Sequence, residues 1–290
     1  LDVIAAQNIS NQKGLIASQD TLMLTGQGLN NQGGQIQSEQ SDVNLSFSQG
    51  INNQAGSIQA AQALKVDTAQ LDNQAGQLIS GTDISIHATQ LNNQSGTIYS
   101  KNQLDVNVIG TADNSAGTIA AEQNLNLNAQ NLLNTAGQIR SEKADLIINT
   151  VQDIQNNTGL ISAAKDLTLT AQDVDSQKGK IQSGANAKLQ VNHLDNTEGT
   201  VYATEQLQLN ATGTLNNNKG VVAAEQLVDL QAGSVINDAG QIRSQLDQLK
   251  LNVQNELSNL AGEISAAKNI ELTANKLSNQ QGKVIAGASL

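Results

Sequence analysis

The two histidines, His87 and His193, are the first residues of this sequence that could bind a metal or carry a proton. Each alternates with an apolar neighbour, Ile86 or Leu194, so we expect both rings on the outer surface. Metal sites need clustered ligands, and no cysteine is present to join them. We therefore predict an ordinary surface role for both histidines, with no metal and no cofactor.

Acidic side chains are numerous but rarely fall in pairs. Two pairs could approach each other on neighbouring repeats, Asp67 with Asp83 and Glu122 with Glu142. Enzymes that cleave polysaccharides can use such carboxylates with Ca²⁺ and a basic residue, and the only arginines here are Arg140 and Arg243. We expect solvated charge and no catalytic residue, and a polysaccharide-degrading enzyme is a remote alternative.

Tyr99 and Tyr202 are the best candidates for surface contact, because exposed aromatic rings bind carbohydrate and protein partners. Each follows a predicted core residue, Ile98 or Val201, which places the ring on the outer face of a strand. A neutral surface role is the alternative, since the two tyrosines stand at the same place in a duplicated block.

Composition narrows the possible partners. The chain has 290 residues, a net charge of −11, no Cys, Trp or Pro, one Phe and two Tyr. A nucleic acid or an anionic membrane would repel such a chain, and no apolar run is long enough to insert into a membrane. The core has to be aliphatic.

A glycine recurs every 20 to 22 residues and defines an internal repeat. The series is Gly14, Gly34, Gly56, Gly76, Gly96, Gly117, Gly137, Gly159, Gly179, Gly199, Gly220, Gly240, Gly262 and Gly282. Five intervals make a block of 103 residues, which predicts one array over 1–290 with blocks 14–116, 117–219 and a partial 220–290. The array reads as a fragment of a longer protein.

Apolar residues follow each glycine with the alternation of strands. Ile98 and Ile119 stand two residues after their glycines, a Ser or Ala follows two positions later, and two further apolar groups complete the unit. An asparagine recurs before each glycine, with Ser176 as its one replacement: Asn11, Asn31, Asn53, Asn73, Asn93, Asn114, Asn134, Asn156, Asn196, Asn217, Asn237, Asn259 and Asn279. The unit predicts three short strands.

Stacking such units buries their apolar faces, which predicts an all-β, single-stranded right-handed parallel β-helix of about 14 coils. Asn93 and Asn134 are expected in an amide ladder, Ile98 and Ile119 in the core, and Gly96, Gly117 and Gly137 at corners that need unusual dihedral angles. A leucine-rich repeat shares the period but places its asparagine in a different frame.

The unit GTIAAEQNLNLNAQNLLNTAG, residues 117–137, resembles the haemagglutinin repeats of filamentous haemagglutinins. It is equally similar to the stalk of contact-dependent growth inhibition proteins of the CdiA family. The resemblance implies two-partner secretion through an outer-membrane transporter, a secreted or cell-surface location and a role in virulence. It predicts a non-enzymatic stalk that projects a distal receptor- or glycan-binding region. The alternative is that this segment is itself the adhesin.

Overall fold

The computed structural model describes residues 1–288, and all the regular secondary structure within that range is β-strand. The chain forms two compact units, an N-terminal unit Leu1–Ala144 and a C-terminal unit that begins at Asp145. Their architecture is the same, and each is described by itself.

The N-terminal unit contains strands β1 to β17. In chain order they are β1 Asp2–Ile4, β2 Ile9–Ser10, β3 Leu15–Ser18, β4 Leu22–Asn30, β5 Gln35–Ser38, β6 Val43–Asn52, β7 Ser57–Ala60, β8 Leu64–Asp72, β9 Gln77–Ser80, β10 Ile84–Asn92, β11 Thr97–Ser100, β12 Leu104–Val108, β13 Thr111–Asp113, β14 Thr118–Ala121, β15 Leu125–Ala129, β16 Asn131–Leu133 and β17 Gln138–Ser141.

The C-terminal unit contains strands β18 to β34. They are β18 Leu146–Thr150, β19 Ile154–Gln155, β20 Leu160–Ala163, β21 Leu167–Thr170, β22 Asp173–Asp175, β23 Lys180–Ser183, β24 Ala187–Val191, β25 His193–Asp195, β26 Thr200–Ala203, β27 Leu207–Asn216, β28 Val221–Ala224, β29 Val228–Ile236, β30 Gln241–Ser244, β31 Leu249–Ser258, β32 Glu263–Ala266, β33 Ile270–Ser278 and β34 Lys283–Ala286.

Each unit has a short-strand sheet and a long-strand sheet, and the strand pairs within both are parallel. In the N-terminal unit the short-strand sheet is β3, β5, β7, β9, β11, β14 and β17, and in the C-terminal unit it is β20, β23, β26, β28, β30, β32 and β34. The remaining strands of each unit form its long-strand sheet. Each strand pairs with its equivalent one coil on, so that Ile98 stands beside Leu78 and Ile119.

The second and third predicted strands run together in several coils. In β6, for example, the pairing with β8 skips a step between Phe47 and Gly50, so a bulge bends the strand. Bulges turn a strand while the ladder bonds continue on both sides. These coils therefore contain two strands, while coils such as that of β12 and β13 keep the three that the sequence predicts.

Aliphatic side chains fill the interior between the sheets. Ile98, Ile119, Leu104 and Leu132 are fully buried, and Phe47 is the only aromatic residue in the core of the described chain. Because each side chain stacks on its equivalent one coil away, the core needs no large rings. The prediction of a parallel β-solenoid of about 14 coils is confirmed.

Candidate functional site

Asparagine side chains run as a buried ladder along one corner of the N-terminal unit. The Asn93 amide group donates to Asn114 Oδ1 at 2.7 Å, and Asn93 Oδ1 accepts from Asn73 Nδ2 at 2.7 Å. Asn114 Nδ2 reaches Asn134 Oδ1 at 2.8 Å, and all these side chains are fully buried. Each amide is thus both donor and acceptor, which removes the cost of burying it.

The same asparagine also closes its own turn. Asn93 Nδ2 donates to the carbonyl of Gly96 at 3.3 Å and to the carbonyl of Thr118 on the next coil at 3.1 Å. The preceding residue, Asn92, points outward, and its Oδ1 accepts from the backbone N–H of Gln94 at 3.0 Å. Asn92 Nδ2 also donates to Asp72 Oδ1 on the preceding coil at 3.1 Å, so the buried amide and the outward amide both join coils, and the outward one stabilises the loop as well.

The prediction that the corner glycines are needed for unusual dihedral angles is wrong. The residue before the glycine has positive φ instead, with Ser95 at 55°, Ala116 at 54° and Ala136 at 54°, and the one positive-φ glycine in residues 1–288 is Gly33. A Cβ on Gly96 would lie 2.2 Å from the Asn73 carbonyl oxygen of the preceding coil. Gly117 and Gly137 have the same constraint, so these glycines are required for close contact between coils.

Tyr99 stands at an outward position of β11 but is only half exposed. Its hydroxyl donates to Glu122 Oε1 on the next coil at 3.1 Å. Burial raises the pKa of Tyr99, and the hydrogen bond to Glu122 raises that pKa further. The ring is therefore a fixed surface group and not a freely rotating one.

A small apolar contact lies beside this ring. Ala120 faces outward between Tyr99 and Arg140 in the strand register, yet it is fully buried. An outward alanine is buried only when its neighbours lie over it, so the flanking Tyr99 and Arg140 side chains cover it. Arg140 also pairs with Glu142 at 3.3 Å.

Glu122 is held from two sides. Lys143 Nζ approaches its Oε2 at 2.6 Å while the Tyr99 hydroxyl binds Oε1. The hydrogen bond from Lys143, followed by the one from Tyr99, lowers the pKa of Glu122. Tyr99, Ala120, Glu122 and Arg140 are called the first tyrosine cluster below.

The C-terminal unit repeats this arrangement as a second tyrosine cluster, Tyr202, Ala223, Glu225 and Arg243. The Tyr202 hydroxyl donates to Glu225 Oε1 at 2.9 Å, and burial followed by this bond raises the pKa of Tyr202. Ala223 is fully buried between Tyr202 and Arg243 in the register. The duplicated feature is thus a four-residue cluster and not the tyrosine alone.

The remaining candidates do not form a common site. His87 and His193 are exposed, and His193 Nδ1 accepts from the Thr214 backbone N–H at 2.9 Å. Asp83 accepts from Asn102 Nδ2 at 2.7 Å, while Asp67 stands beside His87 in the register. Among residues 1–288 no group of three His, Asp or Glu side chains is placed to hold a metal ion.

Comparison with protein families decides the classification. The family model described as haemagglutinin repeat matches residues 1–46, 40–108, 99–150, 143–219, 202–260 and 247–290. These ranges overlap and cover the whole chain. The chain belongs to the haemagglutinin repeat family. No curated protein and no solved structure matches it.

In this haemagglutinin repeat, the buried aliphatic and asparagine pattern runs through the matched ranges. Haemagglutinin repeats form a structural and adhesive family and not an enzymatic one. Within residues 1–288 no helix has the length and apolar character to span a membrane.

Sequence reasoning missed several contacts of the haemagglutinin repeat. The Ser100 Oγ lies 2.6 Å from the Thr82 carbonyl oxygen and 2.7 Å from that of Gln103, so its one hydrogen can bond either of two corners. The burial of Ala120 depends on Arg140 as well as Tyr99, and Arg140 lies two coils from Tyr99. The register gives the only signal for it: the three residues share one position in successive units of the repeat.

Proposed function

We propose that the chain is part of the stalk of a large, secreted bacterial surface exoprotein, which holds a distal binding region away from the cell. The observation that carries the proposal is the haemagglutinin-repeat match across the whole chain. The buried frame supports it, because the same aliphatic stack recurs from coil to coil, and the asparagine ladder with it except at Ser176, while the outer residues vary.

A frame of this kind suits a spacer. Every inner coil is bonded to the coils on either side of it, so extra coils extend the structure without a new core. The amide ladder adds bonds that do not depend on the outer surface, as in the Asn93–Asn114 step at 2.7 Å. Folding by addition of coils to an existing end would need no ATP, which fits a protein that folds outside the cell.

Secretion of this stalk would use an outer-membrane transporter of the two-partner type, and the finished segment would lie on the cell surface. Whether the parent is an adhesin or a toxin-delivery protein of the contact-dependent inhibition class depends on its distal region. For the segment itself we propose no catalytic role.

A spacer function is tested in the parent protein on the cell surface. Deleting residues 117–219 removes five coils and should bring a tag placed beyond the repeat closer to the cell. Binding by the distal region should survive. If the purified segment binds target cells as strongly as the parent, the spacer proposal is wrong.

The second candidate is adhesion by the segment itself, and the twin tyrosine clusters favour it. Each cluster presents a ring held in place by a carboxylate, with an arginine two coils away. A fixed ring with hydrogen-bonding groups around it suits a sugar or a protein loop.

The two tyrosines are the natural probe for this candidate, because the chain contains no tryptophan. Their fluorescence should change on titration with a glycan or with purified surface protein if the clusters bind it. Tyr99→Ala with Tyr202→Ala should abolish binding, while His87→Ala, at an exposed position outside both clusters, should leave it unchanged. Binding that survives the double substitution would exclude the clusters.

A further inference from the structure

The asparagine ladder changes at one position in the C-terminal unit. Asn156 Nδ2 donates to Ser176 Oγ at 3.0 Å, and on the far side Asn196 Nδ2 donates to Asn217 Oδ1 at 2.7 Å. Ser176 takes the ladder position between Asn156 and Asn196, and all three side chains are fully buried. A serine hydroxyl accepts from the coil before it but is too short to replace the amide that would donate to the coil after it.

Asn196 shows the consequence. Its Oδ1 is buried and no donor within residues 1–288 bonds it. At other steps the equivalent oxygen has a donor, as Asn217 Oδ1 does at 2.7 Å from Asn196. An unpaired buried acceptor costs about 1–3 kcal/mol, so a native chain that keeps one has usually paired it with a solvent molecule.

The neighbouring coils show what an amide at position 176 would contact. Asn196 Nδ2 donates to the carbonyls of Gly199 at 3.4 Å and Val221 at 3.1 Å, in addition to the ladder oxygen. Asn156 makes the equivalent bonds to Gly159 and Lys180. By the same spacing, the carbonyls of Gly179 and Thr200 face the missing amide together with Asn196 Oδ1. Three acceptors therefore converge on one point, next to a serine hydroxyl.

The chemistry of this point selects its ligand. The volume lost between asparagine and serine is about that of one water molecule. A water has two hydrogens for Asn196 Oδ1 and one carbonyl, and a lone pair for the Ser176 hydroxyl. A bare cation would be buried among uncharged oxygens, which compensate its lost hydration poorly.

We propose that Ser176, Asn196 and the carbonyls of Gly179 and Thr200 form a buried binding site for one water molecule, which completes the ladder. The water joins the two coils by weaker bonds than an amide and exchanges only when they separate. This coil is therefore the weakest inner step of the ladder in the C-terminal unit.

A high-resolution crystal structure of the 290-residue chain tests the site directly. We expect one water peak within hydrogen-bonding distance of Asn196 Oδ1 and Ser176 Oγ. Ser176→Asn should replace that peak with its own Nδ2 and lower the unfolding equilibrium constant by about tenfold. Hydrogen exchange of the Gly199 and Thr200 amides should slow by a similar factor.

Asn237→Ser is the matched control, because it creates the same gap between two intact asparagines, Asn217 and Asn259. It should gain a new water at that step and faster exchange there. The proposal is overturned if the wild-type site is empty, holds a cation, or is closed by direct contact between Ser176 and Asn196. It is also overturned if a folded Ser176→Asn variant is no more stable than wild type.

Discussion

At the scale of single residues, two glycines differ in the reason for their presence. A Cβ at Gly96 would lie 2.2 Å from the Asn73 carbonyl oxygen, which belongs to a ladder residue held on both sides. At Gly33, φ is 62° and the nearest atom to a Cβ is Lys13 Cγ at 3.5 Å. We expect Gly96→Ala to cost about 3 kcal/mol or more, because two coils have to move apart.

Gly33→Ala should cost only about 1 kcal/mol, the strain of a left-handed alanine. Other turns of the chain already carry that strain, for example at Ala75 with φ of 53°. Chemical denaturation of both variants gives the comparison. Equal losses would show that the glycines are selected for backbone conformation after all.

The tyrosine hydroxyls give a pH-dependent test at the same scale. Burial and the Glu122 hydrogen bond raise the pKa of Tyr99 above its ordinary value of 10.0. A raised pKa means that the folded state favours the protonated hydroxyl. The stabilisation is complete below the unfolded value and is lost as the pH rises through the folded value.

Glu122→Gln removes the negative charge and should lower the pKa of Tyr99 while that of Tyr202 stays constant. Glu225→Gln should do the reverse. Tyrosinate absorbance, measured in Tyr202→Phe and Tyr99→Phe backgrounds, assigns each titration. If Glu122→Gln leaves the Tyr99 titration where it is, the hydroxyl is not bonded to Glu122 in solution.

At the scale of the element, the ladder corner should contribute more to stability than the outward side chains beside it. Asn93→Ala would leave Asn114 Oδ1 buried without its donor and remove the acceptor of Asn73 Nδ2. We expect a loss of about 3 kcal/mol from these orphaned groups.

Asn92→Ala is the neighbouring control, since its side chain points outward. Its Oδ1 accepts from the Gln94 N–H at 3.0 Å, and its Nδ2 donates to Asp72 Oδ1 on the preceding coil at 3.1 Å. This substitution should cost about 1 kcal/mol. Thermal or urea unfolding separates the two expectations. Similar losses would mean that the buried amides contribute no more than those at the surface.

The strand pattern could be predicted at this scale because burial leaves a period-two signature. Ile98 and Leu91 lie in the core, and their equivalents recur at a fixed distance from each repeat glycine, so their burial could be read from the sequence. The positive φ of Ser95 could not be predicted, since Ala, Ser, Thr, Lys, Glu and Gln all occupy that position and only the backbone fixes it. The burial of Ala120 could not be predicted either, because it depends on side-chain packing across coils.

At the scale of the whole molecule, the repeat allows coils to be removed in phase. Ala116 and Lys219 have nearly the same φ, 54° and 53°, and each precedes a corner glycine. Deletion of residues 117–219 joins Ala116 to Gly220 and so recreates a turn that the chain already uses. The variant should stay folded and unfold cooperatively, because the new junction keeps every strand in phase with its neighbours.

Deletion of residues 117–209 is the out-of-phase control, because it joins Ala116 to Asn210 in the middle of a strand. It places outward residues at core positions in the junction coil, so we expect it to aggregate or to lose cooperative unfolding. Small-angle scattering and urea unfolding distinguish the two variants. If the in-phase deletion is as damaged as the out-of-phase one, the 103-residue block is only a similarity of sequence and not a structural module.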